Sequence, residues 1–378
     1  MSAETTPALS YAAAGVDTEA GDRAVELMKA AVSATHGPEV LGGVGAFAGL
    51  LDVSALKEYR RPLLASSTDG VGTKIAIAQA MDVHDTIGQD LVGMVVDDIV
   101  VVGARPLAMT DYIACGQVVP ERIADIVRGI AEGCRIAGCA LVGGETAEHP
   151  GLMGPEDYDV AGAAVGVVEA DDLLGAHRVQ AGDVVIGMEA SGLHSNGYSL
   201  VRAVIARQGL ALDAEIPEFS RTLGAELLEP TRIYTGDLLA LLASEAGAGV
   251  RALSHVTGGG LAANLARVLP QGVTARIDRA SWAPPAVFER VRAWGGVELK
   301  DLEATLNMGM GMVAVAAPEQ ADAAVRLLAD RGLPARVIGE VLADADAPEP
   351  GRADVRVAGA KGVVGGAVLV TGTHDGWA

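Results

Sequence analysis

The sequence predicts a two-domain fold of α/β to α+β class. The chain has 378 residues, enough for two hydrophobic cores. Strand-like apolar runs alternate with helical segments, while hairpin-like pairs of runs keep an α+β arrangement open. A polar segment at 170–182 separates the two halves. We therefore expect an N-terminal domain at 1–172, a C-terminal α+β domain at 173–343, and a linker and extension of unknown role at 344–378.

The N-terminal half begins with an irregular segment and a helical pattern from Gly21 to about Ser33. A glycine-rich loop at 37–47 follows. Apolar runs then predict strands, and longer amphipathic stretches predict helices between them. The predicted strands are 62–66, 107–114 and 159–168, and the predicted helices are 84–103 and 120–138.

The C-terminal half opens with a short buried strand at 183–187, after a Gly-Asp turn. The tail after Ala343 has an acidic, proline-containing stretch and then a glycine-valine segment, which either adds an edge strand or stays mobile. Helices are predicted at 197–208, 220–246 and 259–269, and further strands at 273–278, 311–316 and 335–339.

Composition excludes several classes of protein. A formal charge of −21 argues against general binding to nucleic acid or anionic membranes. No stretch approaches the roughly 18 uninterrupted apolar residues of a membrane span, and residues 1–10 lack a secretory signal. The three cysteines show no disulfide spacing, which indicates reduced thiols. We therefore expect a cytoplasmic protein.

The octapeptide at 67–74 combines a carboxylate, two glycines, a hydroxyl and a lysine after an apolar run. Asp69 offers a hard oxygen ligand for Mg²⁺ and Lys74 a positive charge for phosphate. Only five of the 28 basic residues are lysine, which favours a specific role for Lys74. The spacing differs from a P-loop, and a simple Asp-Gly turn after a strand is the alternative.

Two acidic motifs extend this set. Asp97 and Asp98 lie on an apolar helix that ends at Gly103, where unpaired carboxylates are costly unless they bind a metal or a partner. On that helix Asp90 and Asp97 share one stripe, and Asp98 lies about 80° away. Glu145 follows a Gly-Gly turn and could reach a cation. Capping and ordinary loop roles remain the alternatives for both motifs.

Two loop motifs resemble anion sites. His194 stands among small polar residues directly before a helix, and is a candidate general base or hydrogen-bond donor to phosphate. His255 begins a run whose three glycines, 258–260, precede another helical pattern. Together the motifs supply metal carboxylates, lysines and amide-rich turns, which nucleotide-dependent phosphoryl chemistry requires.

The order of these motifs resembles the phosphoribosylformylglycinamidine cyclo-ligase family, the aminoimidazole ribonucleotide synthetases of purine biosynthesis. The likeness covers roughly residues 8–342. The matching segments are 10–11, 14–17, 42–43, 68–74, 84–88, 98–106, 111–112, 130–133, 141–148, 156–162, 194–200, 230–234, 255–260 and 307–312.

The resemblance implies ATP-dependent ring closure of formylglycinamidine ribonucleotide to aminoimidazole ribonucleotide, ADP and phosphate. It implies the two-domain synthetase fold, and a homodimer formed by pairing of N-terminal sheets. The implied cofactors are ATP and Mg²⁺, and the partner is a small-molecule ribonucleotide. The carboxylates of Asp69, Asp98 and Glu145 would hold Mg²⁺.

The resemblance also assigns roles to single residues. The catalytic set is His194, Lys74 and Asp69. The glycine loop and Lys29 would cover the nucleotide. The nucleotide and metal set is Lys29, Gly42, Gly43, Gly45, Thr68, Asp69, Gly70, Asp98 and Glu145. The ribonucleotide set is Gly72, Thr73, Asp111, Ser195, Asn196, Thr257, Gly258, Gly259, Gly260 and Asn307.

Related functions remain as alternatives. A selenophosphate synthetase would require a cysteine in the N-terminal glycine loop, but no cysteine precedes Cys115. A hydrogenase-maturation relative would require a C-terminal cysteine, and this chain ends in Trp-Ala. A thiamine-phosphate kinase shares the metal motifs but would not explain residues 194–200. A catalytically silent nucleotide-binding module would not need intact carboxylates and lysines.

Overall fold

The computed structural model describes residues 15–375 and 377. The predicted motif at 10–11 and the first residue of the 14–17 motif lie outside this range. The N-terminal half contains β1 (Val40–Leu41), β2 (Leu50–Leu51), β3 (Pro62–Gly70), β4 (Arg105–Cys115), β5 (Ala140–Glu148) and β6 (Tyr158–Glu169). Its helices are α1 (Thr18–Ser33), α2 (Ile75–Met81), α3 (Ile87–Val100) and α4 (Pro120–Ala137).

Four of these strands form a mixed sheet in the order β3-β6-β4-β5. The parallel β4–β5 pair is joined by α4, which starts on Pro120 and ends at Gly138 in the left-handed conformation. Helices α3 and α4 touch at Gly88, where an added Cβ would lie 2.2 Å from the Ile130 nitrogen. The strand predictions at 62–66, 107–114 and 159–168 are confirmed, with longer bounds.

The other face of this sheet carries exposed apolar side chains. Leu64 is 70% exposed, and Tyr112 and Val165 are each just over 40% exposed. The buried side chains, by contrast, lie beneath α3 and α4. The N-terminal sheet is therefore covered on one side only within the described chain.

The strands of the C-terminal half are β7 (Val184–Glu189), β8 (Glu215–Ile216), β9 (Arg221–Thr222), β10 (Val250–His255), β11 (Val273–Asp278), β12 (Met310–Ala316), β13 (Ala335–Ala343), β14 (Val355–Ala360) and β15 (Val363–Thr371). Seven of them form one sheet in the order β10-β12-β7-β13-β11-β15-β14, and β8 and β9 form a separate antiparallel pair. The helices are α5 (Tyr198–Gln208), α6 (Leu223–Leu227), α7 (Thr235–Leu242), α8 (Gly260–Leu265), α9 (Ala286–Gly295), α10 (Leu299–Glu303) and α11 (Pro318–Asp330). None of the described helices combines the length and the apolar character needed to span a membrane.

One helix prediction is wrong. The segment 220–246 is not a single helix, because α6 ends at Leu227 and Pro230 interrupts the pattern before α7 begins at Thr235. Helices α9 and α11 are additional elements that the sequence predictions omit. Two short turns of 3₁₀ helix, within 170–178, connect the sheets at the predicted domain boundary.

The C-terminal extension belongs to the larger sheet. β15 pairs in parallel with β11, from Thr274↔Ala367 to Asp278↔Thr371, and β14 pairs with β15. The glycine-valine segment thus supplies two strands. The fold of the C-terminal domain continues to residue 371, well beyond the predicted limit at 343.

Candidate functional site

Asp69, Asp98 and His255 come from different elements and interact electrostatically between the two halves. Asp69 is the penultimate residue of β3, Asp98 lies in the last turns of α3, and His255 ends β10. His255 Nδ1 lies 2.9 Å from Asp98 Oδ1. Burial raises the pKa of Asp69, the Gly70 N–H opposes that rise, and the charge of Asp98 adds to it. The structure therefore brings two of the predicted metal carboxylates together.

His255 partly balances these carboxylates. Burial alone would lower the pKa of His255, but the hydrogen bond to Asp98 and the charges of Asp97, Asp98 and Asp69 outweigh burial and raise it. Its Nε2 is buried without a partner among the described residues. The Asp98 side chain is 40% exposed, so its carboxylate stays accessible from the cleft. Sequence reasoning assigned His255 no role, although it begins a predicted motif.

The other two aspartates of α3 are buried and bind protein groups. Asp90 Oδ1 accepts hydrogen bonds from the Thr231 N–H and hydroxyl, both at 2.7 Å. Asp97 accepts from the Thr235 hydroxyl at 2.7 Å and from the Tyr234 N–H at 3.1 Å. Burial nevertheless raises the pKa of Asp97 to about 6. These bonds fasten the segment 231–235 to the N-terminal helix α3.

The position of Lys74 differs from the predicted one. Its side chain is fully buried, and Nζ donates to Asp90 Oδ1 at 2.8 Å and to the Glu229 carbonyl at 2.6 Å. Burial lowers the pKa of Lys74, and the Asp90 charge opposes this. An ammonium with these partners inside the protein does not face the cleft, so its position does not match the predicted contact with phosphate.

The two predicted loop motifs do meet. The Gly258 N–H donates to Asn196 Oδ1 at 2.9 Å. We call residues 257–260 the glycine turn. Asn264 Nδ2 donates to the carbonyls of Gly260 and Thr257, at 2.8 and 3.1 Å, and so stabilises this turn. The glycine turn begins two residues after His255, the hydrogen-bond partner of Asp98.

Several predicted contact residues have partners within the protein. Thr73 Oγ1 lies 3.2 Å from Ser199 Oγ, and Ser195 Oγ lies 3.2 Å from Thr231 Oγ1. The Thr68 hydroxyl donates to the Gly162 carbonyl at 2.9 Å. Gly70 is the last residue of β3, and Gly72 begins the 3₁₀ turn that follows, with a φ of +76°.

Asn307 also requires a correction. It is 3% exposed, its Nδ2 donates to the Gly192 carbonyl at 3.0 Å, and its Oδ1 accepts the Gly309 N–H at 2.8 Å. Both ends of the amide are therefore used, Nδ2 to join two loops and Oδ1 within its own loop. This position does not match the predicted contact with substrate.

His194 is buried and neutral. It is 1% exposed, with a φ of +61°, and its Nε2 accepts the Ser191 N–H at 3.3 Å. Burial lowers the pKa of His194 well below its usual range, and the charges of His255, Lys74 and Arg232 add to this. Nδ1 has no partner among the described residues. A neutral ring with one free nitrogen can orient a substrate amide or pass a proton.

Glu145 lies apart from the other two predicted metal ligands. Across the N-terminal sheet, Asp69 pairs with Gly162, Gly162 with Asp111, and Asp111 with Gly144. Three strand spacings place Glu145 about 14 Å from Asp69. Within the described residues, no cluster of three or more possible metal-binding side chains forms. The predicted three-carboxylate site is therefore not assembled within one chain.

A cavity of about 270 Å³ lies beside Glu145. The glycine loop at 43–46 and Asp111 also line it. Gly42 and Gly45 have φ of +86° and +102°, and the short β1–β2 pair joins the two ends of this loop. Lys29 lies outside this lining, is half exposed, and has its Nζ 3.7 Å from Glu26.

Two family models match the chain over most of its length. The AIR synthase related protein N-terminal domain matches residues 49–168, and the AIR synthase related protein C-terminal domain matches residues 180–347. The chain belongs to the AIR synthase related family. This agrees with the predicted resemblance and with the predicted two-domain fold.

Curated relatives are more specific. The chain is 51% identical over 334 residues to the phosphoribosylformylglycinamidine cyclo-ligase of Geobacillus thermodenitrificans, which covers 88% of this chain and 95% of the relative. It is 50% identical to the enzyme of the same name from Sorangium cellulosum, over 90% of this chain and 97% of the relative.

Solved structures share the fold at lower identity. A thiamine-monophosphate kinase from Stenotrophomonas maltophilia has a TM-score of 0.64 at 22% identity, over 92% of this chain and 96% of that one. The hydrogenase maturation protein HypE has a TM-score of 0.61 at 19% identity, over 94% and 98%. At these identities the likeness concerns the fold alone.

Proposed function

We propose that the chain catalyses the ATP-dependent closure of formylglycinamidine ribonucleotide to aminoimidazole ribonucleotide. The observation that carries this proposal is the 50–51% identity to cyclo-ligases over almost their whole length. The cleft of Asp69, Asp98 and His255 beside the glycine turn supports it, because acidic and amide groups together suit phosphoryl transfer.

The reaction joins two steps. The formyl amide oxygen attacks the γ-phosphorus of ATP, and ADP leaves. The amidine nitrogen then attacks the activated formyl carbon, the five-membered ring closes, and phosphate leaves. His194 is suited to the second step, since burial keeps the imidazole neutral and, with Nε2 accepting the Ser191 N–H, its Nδ1, unpartnered among the described residues, carries a proton that it can donate.

ATP and Mg²⁺ are the cofactors that we infer. Protein sites commonly hold Mg²⁺ through one or two carboxylates together with substrate phosphates, so Asp69 and Asp98 form a suitable pair without Glu145. When bound, Mg²⁺ supplies positive charge that neutralises phosphate oxygens. The glycine loop at 42–45 would cover the nucleotide, since its residues 43–45 line the cavity beside Glu145.

A turnover assay tests this proposal. Purified protein with ATP, Mg²⁺ and formylglycinamidine ribonucleotide should release ADP and form aminoimidazole ribonucleotide. The same protein with thiamine monophosphate in place of the ribonucleotide should release no ADP. Absence of product with the ribonucleotide, in protein whose fold is intact by circular dichroism, would refute the proposal.

We also infer that the protein is a homodimer. The open face of the N-terminal sheet, with Leu64 at 70% exposure, supports pairing with a second copy. Sedimentation should show a dimer for the wild type and a monomer for Leu64→Asp. A wild-type monomer at micromolar concentration would contradict this inference. The cytoplasmic location stays a prediction.

A further inference from the structure

The hairpin of the C-terminal extension turns directly over the glycine turn. Its tip is Lys361–Gly362, between β14 and β15. Lys361 Nζ lies 3.2 Å from Asn264 Oδ1, on the same side chain that holds the glycine turn. The Lys361 Cε lies 3.8 Å from the position that a Cβ on Gly259 would occupy. The extension therefore carries an ammonium group to the rim of the candidate site.

Lys361 also faces the cleft carboxylates. Burial and the charge of Arg267 lower the pKa of Lys361, while the charges of Asp98 and Asp69 oppose this. Lys361 in turn lowers the pKa of Asp69. These interactions place the charge of Lys361 near Asp69 and Asp98. Lys361 is exposed, so its ammonium can exchange Asn264 for a ligand.

The backbone at the tip is unusual for a lysine. Lys361 has a φ of +50° and Gly362 of +78°, and Ala360 pairs with Val363 across them. Asn-Gly is the common sequence in two-residue hairpin turns with both central residues left-handed. Lysine adopts this conformation at a steric cost. Asparagine at 361 should therefore keep the turn while removing the ammonium group and the aliphatic chain that carries it.

The hairpin is fixed to the domain. The buried Arg279 guanidinium donates to the carbonyls of Gly372 at 3.0 Å and Val370 at 3.4 Å, while Glu303 holds its other side. Gly365 and Gly366 pack so closely that an added Cβ would lie 2.4 and 2.6 Å from carbonyl oxygens. These contacts set the position of Lys361, and the family model ends before the hairpin, at residue 347.

We propose that Lys361 binds a phosphoryl group held between the glycine turn and the Asp69–Asp98 pair. This rests on the proposed function, which offers two phosphate-bearing ligands: the polyphosphate of ATP and the 5′-phosphate of the ribonucleotide. In either case the ammonium donates to a phosphate oxygen. This hydrogen bond raises the affinity for phosphate, which the net negative charge of the protein would otherwise lower.

Three variants of the full chain test this inference. Lys361→Asn removes the charge and suits the turn, and Lys361→Arg keeps the charge. Arg352→Asn is the matched control, because it removes one exposed charge from the same extension. Lys361→Asn should raise one KM, for ATP or for the ribonucleotide, by roughly tenfold, as expected for one charge-assisted hydrogen bond. Lys361→Arg should recover most of that loss.

The two KM values identify the ligand. A rise for the ribonucleotide alone assigns Lys361 to its 5′-phosphate, and a rise for ATP alone assigns it to the polyphosphate. Unchanged KM values in Lys361→Asn overturn the inference, as does an equal effect of Arg352→Asn. If the wild type forms no product, the proposed function fails separately. Calorimetric titration with Mg·ATP and with the ribonucleotide then tests Lys361, and equal affinities in wild type and Lys361→Asn, or no binding, overturn it.

Discussion

Helix α3 carries two kinds of aspartate, and the difference between them separates the framework of the molecule from its candidate site. Asp90 and Asp97 lie on the buried stripe and each accepts at least three hydrogen bonds from protein groups. Asp98 lies one residue further on, is 40% exposed, and has His255 as its protein partner. The same residue type on one helix thus holds two domains together or faces a cleft.

The number of hydrogen-bond donors around a carboxylate decides its role. Burying a charge is costly unless donors compensate it, and the segment 231–235 supplies those donors to Asp90 and Asp97. Asp98 and Asp69 have fewer donors and retain oxygens that a cation can bind. A 100° rotation along a helix is enough to make this change.

The buried ion pair of Lys74 and Asp90 should have the largest effect on stability. Lys74→Met removes the ammonium that compensates the buried Asp90 charge, so the free energy of unfolding should fall by about 3–5 kcal/mol. Urea denaturation measures this loss. Adding Asp90→Asn should restore part of it, because asparagine removes the charge and its Oδ1 can still accept from Thr231. Equal stability of wild type and Lys74→Met would contradict an interior ion pair.

The cleft aspartate should affect turnover and leave stability unchanged. Asp98→Asn keeps the shape of the side chain but removes the negative charge that suits Mg²⁺. We expect kcat to fall about 100-fold, or about 2.7 kcal/mol, with a loss of Mg²⁺ dependence. Steady-state assays over a range of Mg²⁺ concentrations measure this. Asp322→Asn, an exposed aspartate on α11, is the control and should behave as wild type.

Retention of more than a tenth of the wild-type kcat in Asp98→Asn would contradict a ligand role for Asp98. A large drop in its melting temperature would instead place Asp98 with the framework. All three aspartates of α3 would then be structural.

Local patterns carried enough information for the strands and for part of the site. The rotation of 100° per residue along a helix predicted that Asp98 faces a different side from Asp90 and Asp97. The apolar run before Asp69 predicted a strand that ends near this residue. The glycine turn was also predictable, because consecutive glycines before a helix have few other uses. These features depend on residues close together in the sequence.

Features that depend on distant residues were not predictable in this way. Lys74 stands beside glycines in the sequence, but Asp90 and the Glu229 carbonyl draw its ammonium inward. Asn307 joins two loops that only the folded domain brings together. Lys361 had one usable signal, a Lys-Gly pair before a valine run, yet only the β11–β15 pairing places it over the glycine turn.

Asp111 is a third kind of carboxylate, distinct from the two kinds on α3. Asp111 lines the cavity beside the glycine loop, and burial raises its pKa to about 7. Between about pH 4 and pH 7 the folded protein keeps this proton while the unfolded chain loses it. The stability from this group is therefore complete below about pH 4 and is lost as the pH rises to about 7.

Asp111→Asn keeps a neutral group at every pH, so it should remove this loss. Relative to the wild type, the variant should gain about 1–2 kcal/mol of unfolding free energy between pH 5 and pH 8. Urea denaturation at both pH values measures the gain, with Asp322→Asn as the control. Parallel stability of Asp111→Asn and wild type would show that Asp111 is ionised in the folded protein. Asp111 would then belong with the accessible carboxylates.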